Sequence, residues 1–408
     1  MKHAKKIALP LLFLPISIVI ALSSRSSVRN HRIEDLEYAL ASEDVDVRLG
    51  AVVALTEYGE AAVPSLRKAL EDDNPNVKKT AMKALGKIGG RRAADALAET
   101  LSDPRREMRV IAILALGIAG RSALPDLFRA LETEPFPRAR MFAAYSIARL
   151  AEPGDAPEIL KCFDRQDLPT QMHLIIALVK IGDAEAYAGL SRLVKSPERL
   201  VRFYVASTIA EAPRKEALPI LVTALNDRAF DVRMWAMFGL ERLNLPESYP
   251  AVLAALQDEC DYVRREAAYT LGNLGNRAAI PHLTSCLNDP YYLVRSNAAE
   301  SLGKLGDPVV ASSLKPLLAE PSPTVRIRAA EALARLSDYS GMETLIAVLD
   351  SPESLYRIHA RRALRGLSNE DFGEDSKAWL DWWKQAKVKM EVSGRTGTSA
   401  KERPYLTQ

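Results

Sequence analysis

Three residue types in this chain of 408 residues have the chemistry for a site: five histidines, three cysteines and a recurring column of arginines. A metal centre needs several imidazoles and carboxylates converging on one ion. His3, His31, His173, His282 and His359 are scattered, none is followed by Glu, and no HExxH pair occurs. P-loop, GxGxxG and GxSxG motifs are also missing, so no segment sets a nucleophile beside a base or cradles a phosphate. The sequence therefore predicts no catalytic residue, no metal and no cofactor. What remains is binding chemistry: guanidinium groups for anions, and Met with aromatic side chains for apolar partners.

Both sets of residues belong to a repeat. The stretch VRREAAYTLGNLG from Val263 matches VRSNAAESLGKLG from Val294 and VKKTAMKALGKIG from Val77. The same frame recurs at Val47, Val77, Met108, Ala139, Thr170, Val201, Val232, Val263, Val294, Val325 and Tyr356, with one spacing of 30 and nine of 31 residues. Within each unit, apolar residues at offsets 0, 4, 7 or 8 and 11 form one stripe of an α-helix. Gly at offset 12 (Gly89, Gly182, Gly275, Gly306) ends that helix. A first amphipathic helix precedes it, with Pro64, Pro125, Pro219, Pro250 or Pro281 in a first turn where a missing N–H costs nothing. Asp103-Pro104, Asp289-Pro290, Ser196-Pro197 and Ser351-Pro352 break the chain between the two helices. One such hairpin cannot bury its own stripe, so stacked neighbours must share a continuous core.

The string A-x-P-x-L-x-x-A-L-x-D followed by V-R-x-x-A-A-x-A-L-G-x-I-G resembles the HEAT repeat, in the short form first associated with phycobilisome lyases. The resemblance implies an all-α fold, a right-handed α-solenoid of about eleven helical hairpins with a C-terminal capping helix. It also implies second helices that line a concave face. Such arrays serve as scaffolds, transport receptors, lyase-chaperones and, more rarely, enzymes. Deoxyhypusine hydroxylase, which also resembles this pattern, uses His-Glu dipeptides as iron ligands; their absence here excludes that activity.

Boundaries follow from the pattern. Residues 33–368 are the array, 369–390 a cap carrying Trp379, Trp382 and Trp383 on one helix face, and 391–408 a tail without periodicity, read as disordered. The Gly-x-Asp…Trp…Trp ending is similar to that of bacterial HEAT-repeat proteins. At the other end, Lys2, Lys5 and Lys6 precede an apolar run from Ile7 to Leu22. Residues 1–23 read as a cleaved export signal, alternatively as an uncleaved anchor giving membrane association, with 24–32 a linker. This predicts an exported protein, periplasmic or secreted, or held at the inner membrane.

Charge speaks against one class of partner. With 55 Lys and Arg against 52 Asp and Glu the net charge is +3, unlike a nucleic-acid binder with its concentrated basic face. Arginine stands at offset 1 in nine repeats: Arg48, Arg109, Arg140, Arg202, Arg233, Arg264, Arg295, Arg326 and Arg357. Acidic residues five positions before many anchors (Asp72, Asp103, Glu134, Asp227, Asp258, Asp289, Glu320) indicate an internal ladder in place of a ligand site. Cys162 and Cys286 share an offset that other repeats fill with Leu, Ala or Val, and read as core residues. Cys260 lies in a turn, and spacing alone cannot fix a bridge to Cys286.

Function should lie where repeats depart from their own pattern at exposed offsets. Offsets 2, 3 and 6 of the second helix are polar in Lys79, Thr80 and Lys83 but largely apolar or aromatic in repeats three to eight. Met141, Phe142, Tyr145, Met172, Phe203, Tyr204, Met234, Trp235, Phe238 and Tyr269 form this stripe, with His173 inside it. Met and aromatic side chains make adaptable grooves for peptides and helices. The stripe predicts a non-catalytic scaffold binding a protein or peptide partner. Two alternatives stay open: a lyase-like chaperone or enzyme holding a hydrophobic ligand or chromophore, and side chains packed on one another or covered by the C-terminal tail. The oligomeric state is not set by the sequence.

Overall fold

The computed structural model describes residues 33–395. The leader expected at 1–23 and its linker lie outside them. Among the described residues every regular element is helical, and the fold is an all-α solenoid of stacked hairpins. The chain forms two compact bodies, one ending at Leu190 and the other beginning at Ser191.

In the N-terminal body the second helices of repeats one to five are Val45–Leu55, Pro75–Ile88, Arg106–Ala119, Pro137–Leu150 and Leu168–Ile181. The 3.6-residue period puts Val77, Ala81, Met82 and Leu85 on one side of their helix, and all four are fully buried. In the C-terminal body the second helices of repeats six to eleven are Arg199–Glu211, Phe230–Leu243, Asp261–Leu274, Tyr292–Leu305, Pro323–Arg335 and Ser354–Ser368. There Val263, Ala267, Ala268 and Leu271 play the same part. The predicted prolines occupy the first turn of their first helices, as in Leu124–Thr133 and Ile280–Cys286. Gly182, Gly275 and Gly306 end their helices in the left-handed region, and Asn244 (φ 45°) replaces glycine at that offset in repeat seven.

A second glycine column, at offset 9, sets the distance between neighbours. A Cβ built on Gly303 would sit 2.7 Å from the Ala332 Cα in the next second helix, and one on Gly86 would sit 2.9 Å from the Ala115 carbonyl oxygen. The helices approach more closely than any side chain at these positions permits.

The C-terminal helix Ser376–Arg395 runs past the boundary expected at residue 390; the rest of the expected tail lies outside the described residues. Trp379 and Trp383 are buried in a cluster with Met342, Leu345, Ile346 and Leu364. The Trp379 indole Nε1–H donates to the Gly373 carbonyl at 3.0 Å, and its ring meets Phe372 edge-on at 5.0 Å. These tryptophans close the core of the last repeat. No helix among the described residues is long and apolar enough to cross a membrane.

Candidate functional site

The arginine column forms a ladder between successive repeats. Arg202 meets both Asp227 oxygens (2.6 and 3.0 Å), Arg233 meets Asp258 (2.7 and 2.9 Å), and Arg264 meets Asp289 (2.8 and 3.0 Å). In the N-terminal body Arg48 pairs with Asp72 and Arg109 with Glu134 in the same fork. The free edge of each guanidinium is also used: Arg202 Nη1 donates to the carbonyls of Ser196 and Pro197, at 2.9 and 3.0 Å. Each of these five arginines thus ties its own inter-helix turn to the following repeat, whereas among the described residues Arg326 bonds only the Glu320 and Pro321 carbonyls of its own turn. Burial alone would raise the Asp227, Glu134 and Asp289 carboxyls, but their arginines and a backbone N–H hold each below the usual range.

Two departures mark where the sequence pattern was incomplete. Asp103 stands in the acid column yet pairs with Arg105 at 2.9 Å, since repeat two offers Lys78 in place of Arg. Asp167, outside the column, receives Arg140 at 2.7 Å; its signal was its place as N-cap of Leu168–Ile181. Arg357 pairs with Glu374 of the cap at 2.8 Å.

The cysteines carry no bridge: Cys162, Cys260 and Cys286 are all free thiols. Burial first, then the neighbouring carboxylates, pushes Cys162 up to about 11, and its Sγ lies 3.7 Å from Glu132 Oε1 as donor. Among the described residues Glu132, Glu158 and Cys162 are the one group of potential ligand atoms close together, and both of its carboxylates are exposed. A protonated core thiol hydrogen-bonded to an acid is the chemistry present there.

The stripe residues lie on the second helices of both bodies. In the N-terminal body Met141, Phe142, Met172 and His173 are half-buried, while Leu114, Tyr145 and Ile176 are exposed. The Tyr145 and His173 rings meet edge-on at 5.6 Å. Burial lowers the His173 pKa, so the imidazole is neutral near pH 7. The guanidinium of Arg138 lies 5.8 Å from the Phe142 ring centre and that of Arg149 6.0 Å from Tyr145.

In the C-terminal body Phe203, Tyr204, Met234, Trp235, Phe238 and Tyr269 are all half-buried. Edge-on contacts link Tyr204 to Phe203 (5.4 Å), Phe203 to Trp235 (6.4 Å) and Trp235 to Phe238 (5.8 Å). Arg242 covers Phe238 at 5.6 Å, and Lys304 Nζ stands 4.2 Å from the Tyr269 ring centre. In each body the rings steady one another and keep part of every face open. That combination is what an aromatic recognition surface requires: rigid rings with one side left for a partner.

Offset 10, an exposed position of the repeat, adds cations to these faces. Arg149, Arg242 and Lys304 all occupy it and lie over rings, and Ile118 at the same offset is 60% exposed. The signal available was the i, i+4 spacing of Tyr145 to Arg149 and Phe238 to Arg242.

Comparison with known proteins places these features in a wider set. A family model described as HEAT repeats matches residues 33–117, 95–179, 189–261 and 249–322. Among solved structures, Kap121p bound to Nup53p is similar with a TM-score of 0.58 and 13% identity, covering 95% of this chain and 50% of that chain. Kap121p bound to the SUMO protease Ulp1p gives a TM-score of 0.58 and 14% identity, over 92% of this chain and 49% of that one. A Kap95p structure concerned with RanGDP gives 0.51 and 16%, over 86% and 59%. The chain therefore spans about half the length of these karyopherins, and at such identities the likeness is one of fold. No curated protein matches the sequence.

Proposed function

The chain belongs to the HEAT-repeat family, and from that premise we infer that it is a non-catalytic scaffold that holds a protein partner on the faces of its second helices. The observation that carries this reading is the half-exposed aromatic and Met surface in each body, stacked edge-on and flanked by cations. Polar residues at these positions would satisfy the fold equally well, as Lys79, Thr80 and Lys83 do in repeat two. Solved relatives in fold are recorded with Nup53p and Ulp1p bound, which supports a protein partner by analogy of architecture. The basic and apolar leader supports export to the cell envelope, the Trp-bearing ending, similar to that of bacterial HEAT-repeat proteins, supports a bacterial source, and cell fractionation tests the location.

The direct test replaces Tyr145 or Tyr204 by a photo-crosslinking phenylalanine in the native host. Tyr38, 86% exposed on the helix Ile33–Leu40, serves as control. A discrete protein adduct is expected from the two face positions and not from Tyr38. Equal adducts from all three, or a copurifying chromophore in place of a protein, would overturn the reading.

A further inference from the structure

Along the C-terminal body the second-helix face changes character. Repeats six to eight present Phe203, Tyr204, Trp235, Phe238 and Tyr269, whereas in repeats nine to eleven Glu300, Arg328, Glu331 and Arg362 stand beside Ile327 and the exposed Ile358. A cavity of about 620 Å³ opens beside the second helices of repeats ten and eleven. Its ionic lining is unbalanced. Glu300 is held by Lys304 at 3.0 Å and by Arg328 at 3.4 Å, and Glu331 by Arg328 at 3.0 Å. Both carboxylates are thereby matched.

Arg335 and Arg362 line the same cavity, with His359 alongside. Among the described residues neither of these guanidiniums forms an ion pair, although the other arginines of the helix Ser354–Ser368 do: Arg357 with Glu374 at 2.8 Å, Arg361 with Asp371 at 2.8 Å, Arg365 with Asp371 at 3.7 Å. The acids of the segment leading to the cap neutralise those three and leave Arg362 to the cavity. Two planar forks on adjacent helices, bordered by Ile327 and Leu367, suit carboxylate groups held two at a time.

Resting on the scaffold reading, we propose that this recess binds the acidic side chains of an extended partner segment whose apolar residues lie on the aromatic repeats of the same body. Packed helices stand roughly 8–10 Å apart, so repeats seven to eleven span on the order of 35 Å. About ten extended residues at roughly 3.3 Å each cover that distance. The partner segment is therefore apolar at one end and rich in Asp or Glu at the other.

The test uses the full chain and a dye-labelled hexaglutamate peptide, followed by fluorescence polarisation. Binding is expected, weakening as salt rises from about 0.05 to 0.3 M, with no comparable binding of hexalysine. The double variant R335E/R362E should lose at least about tenfold in affinity while keeping its helical circular dichroism. If it does not fold, R335Q/R362Q takes its place with the same expectation. Tyr38→Ser, at a position 86% exposed and outside both faces, should bind hexaglutamate within about twofold of the parent. Unchanged affinity in the folded double variant, or equal binding of hexalysine, overturns the proposal. So does displacement of the peptide by inorganic phosphate alone at low millimolar concentration, which would make this a free-anion site. Hexaglutamate binding that persists while the Tyr145 and Tyr204 adducts fail would sink the scaffold reading and leave this site standing.

Discussion

Removing Asp227 tests the inter-repeat ladder most directly. Asp227 and Arg202 are each more than nine-tenths buried, with side-chain exposures of 7% and 6%. Their fork joins repeat six to repeat seven, and Asp227 Oδ1 also accepts the Ala229 N–H at 2.8 Å. Asp227→Ala leaves a buried guanidinium without its counter-charge. Breaking a buried pair in this way costs about 3–5 kcal/mol, and the lower end applies because Nη1 keeps the Ser196 and Pro197 carbonyls. The lost backbone hydrogen bond adds about 1 kcal/mol, for a total of about 4 kcal/mol. Since each repeat contacts only its neighbours, the loss should stay local. Hydrogen exchange by mass spectrometry should show the amides of Phe230–Leu243 exchanging roughly a thousandfold faster, with Arg106–Ala119 unchanged. Glu99→Ala is the control, because the Arg67–Glu99 pair is half-exposed on both sides and should cost less than about 1 kcal/mol. If the two variants lose protection equally, the ladder is a surface ornament and the argument fails.

Acid should weaken the whole array. The Glu134, Asp167, Asp227 and Asp289 carboxyls sit below their ordinary range in the folded state, so their stabilisation is complete above a pH of about 4 and is lost as pH falls through the lower folded values. Urea midpoints at pH 7 and pH 3 measure this, and equal midpoints would contradict it. Gly303→Ala should destabilise by about 1–3 kcal/mol through overpacking against Ala332. Gly50→Ala, with nothing within 4 Å of a new Cβ, should instead gain about 0.5–1 kcal/mol of helix propensity; thermal melts of the pair decide it. Trp379→Ala empties a fully buried site and should cost about 3–5 kcal/mol, seen as faster exchange in Met342–Val348 and Ser354–Ser368. Calorimetry of the intact chain should give a van't Hoff enthalpy well below the calorimetric one, as repeat-wise unfolding requires; agreement of the two would refute it.

The sequence by itself determined the hairpin, its period and its core. Those features are local: the spacing of Val263, Ala267 and Leu271, the stop at Gly275 and a first-turn proline such as Pro281 act within about thirty residues. It also named the residue types of the ladder and of the aromatic face, because both recur at fixed offsets. Contacts between repeats were decided only in three dimensions. Asp167 replaces a missing column acid, Asp103 turns to Arg105, and Cys260 and Cys286 stay apart as free thiols. The offset-9 glycines show their purpose only once Gly303 is seen against the Ala332 backbone. The unmatched Arg335 and Arg362 likewise emerge only after Glu300, Glu331, Asp371 and Glu374 have been assigned to other cations. Periodicity reports which face a residue occupies. Which neighbour it meets there depends on close approach between helices some thirty residues apart in the chain, and the tertiary structure alone supplies that.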